Sequence, residues 1–257
     1  MPVVRIDGAD LFYDYAPADA GGSLVLIHGS GCDHTTWPPV LRRLPGISVY
    51  ALDLPGHGRS GGAARDDVGA WADLIERFAE TLSLGRVALV GHSLGGAIAQ
   101  TLALRHPDWL SAAILVGTGA RLRVAPAILE GLASDDPRQA IDQICRWSFG
   151  PHPPKAEYDR VREIFFRTDP LVTHSDLSAC DRFDVMDRVG TIPVPTLVIS
   201  ASEDRLTPEK YGRYLADRIP DARLAVIPDA GHMMGLEKPE SFLDPIRSFL
   251  SETGLLA

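Results

Sequence analysis

The run Val87-Ala88-Leu89-Val90 passes directly into Gly91-His92-Ser93-Leu94-Gly95-Gly96-Ala97, and this junction limits the folds open to the chain more than any other feature. A short apolar strand ends in Gly-x-Ser-x-Gly, and a helix of small residues begins at once. A serine at such a strand-to-helix turn is held in a strained backbone conformation, so its neighbours must be small. Gly91 and Gly95 have no Cβ and let the helix pass close to the strand. The turn lifts the Ser93 hydroxyl above a sheet, at a helix N-terminus where backbone N–H groups favour developing negative charge. Glycine is frequent here, 24 of 257 residues, so the bare pattern carries little weight. The flanking strand and helix, and two partner residues further along, supply it.

Strands and helices alternate around this junction. Residues 3–7 and 11–15 are expected to form an edge hairpin. Residues 24–27 and 49–52 are continuous apolar runs, the pattern of strands buried on both faces. From 67 to 82, apolar residues recur at helical spacing (Val68, Trp71, Leu74, Ile75, Phe78, Leu82). Residues 87–90 form the strand under Ser93, 94–105 its helix and 112–116 the next strand. The pattern then breaks. From 118 to 187 the chain is richer in Arg, Asp, Pro and aromatic residues, with helical spacing returning near 158–166. Alternation resumes with a strand at 196–200, a helix near 208–218, a strand at 223–227 and a helix near 237–250. This order predicts an α/β fold, a doubly wound and mostly parallel sheet, with residues 1–117 and 188–257 as its core. Residues 118–187 are expected to be a helical cap insertion over the carboxyl ends of the strands, where ligands bind in such sheets.

Composition removes several classes of function. A chain of 257 residues with 45% hydrophobic content can bury one large α/β core. A formal charge of −9 argues against nucleic acid or anionic membranes as partners, and mildly against strongly anionic substrates. Cys32, Cys145 and Cys180 are odd in number and outside any C-x-x-C pattern, so neither a disulfide framework nor a zinc site is expected. The start Met1-Pro2-Val3-Val4-Arg5-Ile6-Asp7 has no basic region followed by an apolar one, and no stretch approaches a membrane span. The expectation is a cytoplasmic protein without membrane insertion, acting as a monomer or homodimer. No histidine spacing suggests a metal, and neither G-x-G-x-x-G after a strand nor a P-loop is present, so no cofactor is expected.

Serine is a weak nucleophile unless an adjacent base, oriented by a third group, activates it. His232 in Asp229-Ala230-Gly231-His232-Met233 follows a late strand end and is the candidate base. Asp204 in Ser200-Ala201-Ser202-Glu203-Asp204-Arg205-Leu206-Thr207-Pro208 follows the preceding strand and is the candidate orienting acid, with Glu203 its rival. An aspartate in such a loop is otherwise a helix cap, and a histidine a packing residue. Together in the order Ser, Asp, His, on loops at one sheet edge, they point to nucleophilic catalysis. His28, His57 and Asp53 lie in loops where structural hydrogen bonds are the simpler expectation. Cys32 has no partner, which favours packing.

The segments Leu26-Ile27-His28-Gly29-Ser30-Gly31, Asp53-Leu54-Pro55-Gly56-His57-Gly58-Arg59-Ser60, Gly91-His92-Ser93-Leu94-Gly95-Gly96, Glu203-Asp204-Arg205-Leu206-Thr207-Pro208 and Ala230-Gly231-His232 resemble the α/β-hydrolase-fold serine hydrolases, nearly end to end. The resemblance implies oxyanion-hole amides at Ser30 and at Leu94, which would hold the substrate carbonyl. It implies a cofactor-free carboxylic-ester hydrolase acting on small esters with water. Ser93 departs from the elbow aspartate of dehalogenases and epoxide hydrolases of this fold, and His28-Gly29-Ser30-Gly31 from the HGGG pattern of hormone-sensitive-lipase-like esterases. A lactonase, aminopeptidase, C–C bond hydrolase or haloperoxidase-like enzyme remains open within the fold, as does a ligand receptor with slow turnover. Trp147, Phe149, Phe165, Phe166 and Phe183 could wall an acyl pocket or form the insertion's own small core.

Overall fold

Strands form where the apolar runs are continuous, because helices cover both faces of the sheet they build. The computed structural model describes residues 2–19 and 21–257. Met1 and Ala20, which fall within the expected core segment and, for Met1, the expected leaderless start, lie outside the described residues. In chain order the elements are β1 (Val3–Ile6), β2 (Ala9–Ala16), β3 (Ser23–Ile27), α1 (Pro39–Arg42), β4 (Ser48–Leu52), α2 (Val68–Thr81), β5 (Val87–His92), α3 (Leu94–Arg105) and β6 (Leu110–Val116). Four helices follow: α4 (Pro126–Leu132), α5 (Arg138–Ser148), α6 (Lys155–Arg167) and α7 (Pro170–Arg182). The chain then returns to β7 (Thr196–Ala201), α8 (Glu209–Arg218), β8 (Ala222–Ile227), α9 (Met234–Glu237) and α10 (Pro239–Glu252).

The eight strands lie in the order β1-β2-β4-β3-β5-β6-β7-β8. The β1–β2 and β2–β4 pairs are antiparallel, and every later pair is parallel. One face packs Trp71, Phe78, Ile98, Leu102 and Leu215 from α2, α3 and α8. The other packs Leu41, Phe242, Ile246 and Leu250 from α1 and α10. The doubly wound α/β sheet is therefore present. Helix α2 lies within the expected 67–82, capped by the Asp67 side chain, which accepts the Ala70 N–H.

Two strand neighbours of β3 leave it in opposite directions, β4 on one side and β5 on the other. A crevice opens at the carboxyl ends of strands where the order reverses in this way. The loop after β3 carries Ser30, and the turn after β5 carries Ser93, so both candidate site segments flank this point.

The turn itself shows why its glycines are required. Ser93 has φ 55° and ψ −113°, a conformation that side chains rarely adopt. A Cβ on Gly91 would lie 2.1 Å from the Gly95 carbonyl oxygen, and one on Gly95 would lie 2.0 Å from that of Ile27. Neither contact can be relieved by a side-chain rotation, because the obstacles are backbone atoms.

Helices α4–α7 enclose a cluster of their own, built on Ile128, Leu132, Ile141, Ile144, Cys145, Phe149, Val161 and Phe165, with Cys32 packed into it from the core. The aromatic residues expected as possible pocket walls divide here. Phe149 and Phe165 are buried in this cluster, and Phe166 is half-buried with the Arg162 guanidinium 4.4 Å above its ring. Phe183 joins the sheet-face cluster beside α3. Only Trp147 of the five lines a cavity with Ser93, so of the two readings open in the sequence the wall fits that one residue and the insertion's own core fits Phe149 and Phe165. The reason is helical phase: Ile144 and Trp147 lie one turn apart on α5, whereas Phe149 lies beyond its end.

Candidate active site

Ser93 sits between β5 and α3, its N–H donating to the Val116 carbonyl at 2.9 Å. A serine before a helix usually caps it through the hydroxyl. Ser93 does not, and its Oγ has no hydrogen-bond partner among the described residues. The hydroxyl is left available, on the wall of a cavity of about 210 Å³. Apolar side chains dominate that cavity, from Leu122, Val124, Ile128, Ile144, Trp147 and Leu177, with Arg123 and Arg205 also on its lining.

His232 and Asp204 are brought together. His232 Nδ1 is 2.8 Å from Asp204 Oδ2, and both residues are buried. A carboxylate only accepts, so Nδ1 carries the proton and Nε2 keeps its lone pair. Burial alone would raise the Asp204 pKa, but His232 and the bonds from Thr207 hold it below the ordinary carboxylate value. Asp204 Oδ1 accepts the Leu206 and Thr207 N–H groups, each at 2.9 Å, and Oδ2 accepts the Thr207 hydroxyl at 2.8 Å. The aspartate is thereby fixed by its own loop. Glu203 is exposed, and its backbone N–H bonds to the Ala230 carbonyl.

The loop of His232 is held from two sides. His92, the residue before Ser93, lies ring to ring 4.5 Å from His232, and its Nε2–H donates to the His232 carbonyl at 3.0 Å. Burial and the neighbouring His232 push the His92 pKa down to about 3, so it is a neutral donor. On the other side, Glu237 accepts the Gly231 N–H through Oε1 and the Gly150 N–H through Oε2, both at 2.9 Å. One carboxylate thus joins the histidine loop to the inserted helices. Burial raises the Glu237 pKa despite these two donors.

The segment after β3 places Ser30 buried in the loop, with its Oγ 3.7 Å from Cys180 Sγ. Among the described residues neither the Ser30 nor the Leu94 N–H has an acceptor, whereas their neighbours Gly31, Cys32 and Gly96 do. His28 makes structural hydrogen bonds: Nδ1–H to the Gly29 carbonyl at 2.8 Å, and Nε2 accepting from Leu54 N–H at 3.0 Å. Burial brings its pKa down to about 4. Asp53 braces two loops, accepting the His34 N–H and ring at 2.7 and 2.8 Å and the Arg59 N–H at 2.8 Å. Cys32 is buried, and burial raises its thiol pKa.

One cluster, Asp33, His34 and Asp53, has the spacing of metal ligands. Its atoms are engaged otherwise: His34 with Asp53, and Asp33 with Thr35 and Arg167. All three cysteines are free and buried. No helix among the described residues is long and apolar enough to cross a membrane.

Thr207, His92 and Glu237 were missed in the sequence. For Thr207 a signal existed, since Asp204-x-x-Thr207 is the spacing of a side-chain-closed turn. His92 and Glu237 act through backbone groups distant in sequence, for which spacing gives no signal.

A strained serine at the switch point of a doubly wound sheet, with a buried histidine–carboxylate pair on later loops tied to the serine turn through His92, defines a class of protein. Residues 24–244 match the model of the alpha/beta hydrolase family, and the chain belongs to that family. A pimeloyl-(acyl-carrier protein) methyl ester esterase of Neisseria meningitidis serogroup C is 32% identical over 247 residues, spanning 90% of this chain and 94% of the relative. The solved structure of a thermophilic esterase is 40% identical, with TM-score 0.84 and 98% of each chain covered. The enol-lactonase from Burkholderia xenovorans LB400 is 25% identical with TM-score 0.89, covering 97% of this chain and 100% of that one.

Proposed function

We propose that this protein is a carboxylic-ester hydrolase for esters of short to medium acyl chains, with Ser93 as nucleophile, His232 as base and Asp204 as the orienting acid. The observation that carries the reading is the free Ser93 hydroxyl on a strained turn, facing an apolar cavity, with the His232–Asp204 pair on the loops after β7 and β8 and His92 tying the His232 loop to that turn. Ser93 Oγ attacks the ester carbonyl while His232 Nε2 takes its proton. The oxyanion is stabilised by the N–H groups of Ser30 and Leu94, each such donor contributing about 3 kcal/mol. His232 returns the proton to the leaving alcohol as the acyl-enzyme forms. Water, deprotonated by His232, then releases the acid and regenerates Ser93. Asp204 fixes the tautomer and stabilises the imidazolium. These steps need no cofactor.

Residues 118–187 are the cap in this reading, supported by the position of α4–α7 between β6 and β7 and by their separate cluster. A cavity of about 210 Å³ lies below the ~300–1,000 Å³ of drug-sized sites, which supports a small acyl group. The site groups come from one chain, so a monomer suffices. Free buried cysteines support a reducing, cytoplasmic setting. The likeness to an enol-lactonase favours lactones, as cyclic esters, for a second trial.

The test is a hydrolysis screen of aryl esters of graded acyl length, lactones and aminoacyl amides. Each methylene that fits contributes about 0.8 kcal/mol. Rates should rise modestly from acetyl to a short or medium chain and then fall. Efficient hydrolysis of long-chain triglycerides with little activity on butyryl esters would contradict the reading.

A further inference from the structure

Cap helix α7 turns a polar face toward the core, and that face meets the turn carrying Ser30. Thr173, Asp176 and Cys180 recur at spacings of three and four, so they share one side of the helix, and all three are buried. Asp176 Oδ2 accepts the Gly31 N–H at 3.0 Å. Cys180 Sγ touches Ser30 Oγ. Gly31 has φ +67°, and a Cβ there would come within 2.9 Å of Thr173 Oγ1 and of the Phe165 ring, so no larger residue fits. The Gly31 carbonyl in turn accepts from Thr168 Oγ1 at 3.1 Å. Both backbone polar groups of the residue after Ser30 are therefore tied to the cap.

The Asp176 anchor is itself unusual. The same Oδ2 is 2.8 Å from His57 Nε2, and both side chains are fully buried. His57 Nδ1 lies 3.1 Å from the Pro55 carbonyl, so both ring nitrogens face acceptors. Burial lowers the His57 pKa, but Asp176 more than offsets this, and the pKa is raised. The remaining oxygen, Asp176 Oδ1, is buried with no hydrogen-bond partner. For stability alone this is a poor arrangement: a buried histidine–carboxylate pair seldom outperforms apolar packing, and an orphaned carboxylate oxygen adds a cost. What the arrangement achieves is geometric. It pins the turn that carries Ser30 between a core loop and a cap helix.

We propose that Asp176, anchored by His57, is a positioning residue of the reaction, holding Gly31 so that the Ser30 N–H stays directed at the developing oxyanion. The inference rests on the oxyanion role given to Ser30 above. The cap then does more than wall the cavity, because it carries the support for one of the two oxyanion donors. Displacing such a donor by about 1 Å can cost on the order of 10²-fold in rate.

The test is steady-state kinetics of Asp176→Ala and Thr168→Val on an aryl butyrate, with active sites counted by stoichiometric phosphonate labelling so that misfolded molecules do not contribute. Asp176→Ala should lower kcat about 10- to 100-fold with KM within about threefold, and Thr168→Val should move kcat less, in the same direction. Asp176→Asn, which keeps an acceptor for the Gly31 N–H, should recover at least about threefold of the lost kcat. Inhibition by an aryl trifluoromethyl ketone, whose adduct places an oxyanion at the same amide, should weaken by the factor by which kcat/KM falls. If Asp176→Ala does not fold, Asp176→Asn and Thr168→Val carry the comparison. A kcat per labelled site within twofold of wild type across the soluble variants overturns the proposal. So does a fall in kcat with ketone inhibition unmoved, which is what a merely structural role would give. Failure of the wild type to hydrolyse the ester, or labelling away from Ser93, removes the ester-hydrolase reading and this inference with it.

Discussion

Replacing Glu237 by alanine should destabilise the protein more than replacing it by glutamine. Its carboxylate accepts the Gly231 and Gly150 N–H groups at 2.9 Å each, and the residue is buried. Alanine leaves two buried donors without partners, at about 1–3 kcal/mol each. Some of this is recovered, because burial disfavours the carboxylate's charge, as its raised pKa shows. A net loss of about 2–4 kcal/mol follows, or roughly 5–15 °C in Tm for a chain of this size. Glutamine keeps one oxygen acceptor and removes the disfavoured charge, but its NH2 group faces the second N–H, so its cost should be about half that of alanine. The sign with pH is fixed by the same shift. The folded pKa lies above the unfolded one, so this group's contribution is fully present below the unfolded value and is lost as pH rises through the folded value. Thermal unfolding of the wild type and both variants from pH 4 to 8 reads all three effects. The reasoning is refuted if Glu237→Ala melts within about 2 °C of wild type, or if glutamine costs as much as alanine.

Gly95→Ala places a Cβ 2.0 Å from the Ile27 carbonyl oxygen and should cost several kcal/mol, visible as insoluble or early-melting protein; a wild-type Tm would show that the turn can open. Asp204→Asn should lower kcat by about 10³–10⁴-fold through the wrong histidine tautomer, while the exposed Glu203→Gln should change it less than about threefold; the reverse ranking would move the acid to Glu203. Because the Asp204 pKa is lowered in the fold, its stabilising contribution should persist through neutral and mildly acid pH and fade only as pH falls through the depressed folded value. Chemical denaturation of wild type and Asp204→Asn at pH 2.5 to 7 checks this, and a gap constant across that range would contradict it.

The sheet and the turn at Ser93 were legible because their signals are local. β3 and β5 are uninterrupted apolar runs, and the bounds of α3 coincide with the expected 94–105. Asp204 and His232 were legible because each follows a recognisable strand end. The inserted helices were harder to read. Helix α6 shows through near 158–166, but α4 has only seven residues, about two turns, too few for a helical period to stand out. Helix α7 reverses the usual signal: Asp176 and Thr173 face inward while Leu171 is 62% exposed. Hydrophobic periodicity points to the wrong face of such a helix. The His57–Asp176 pair spans 119 positions and exists only in the folded chain. The aromatic residues left two readings open in the sequence, and they divide between them: Phe149 and Phe165 supply the core that the inserted helices cannot obtain from the sheet, and Trp147 lines the cavity.

The most direct test of the account is the turnover of Ser93→Ala, of His232→Ala and of the double variant on an aryl butyrate, with folding checked by thermal melting. Groups that act as one unit are not additive. Each single variant should retain a near-wild-type Tm and lose at least about 10³-fold in kcat, and the double variant should lose little more than either single one. Wild-type turnover in Ser93→Ala, or losses that multiply in the double variant, would contradict a nucleophile and base working as one unit.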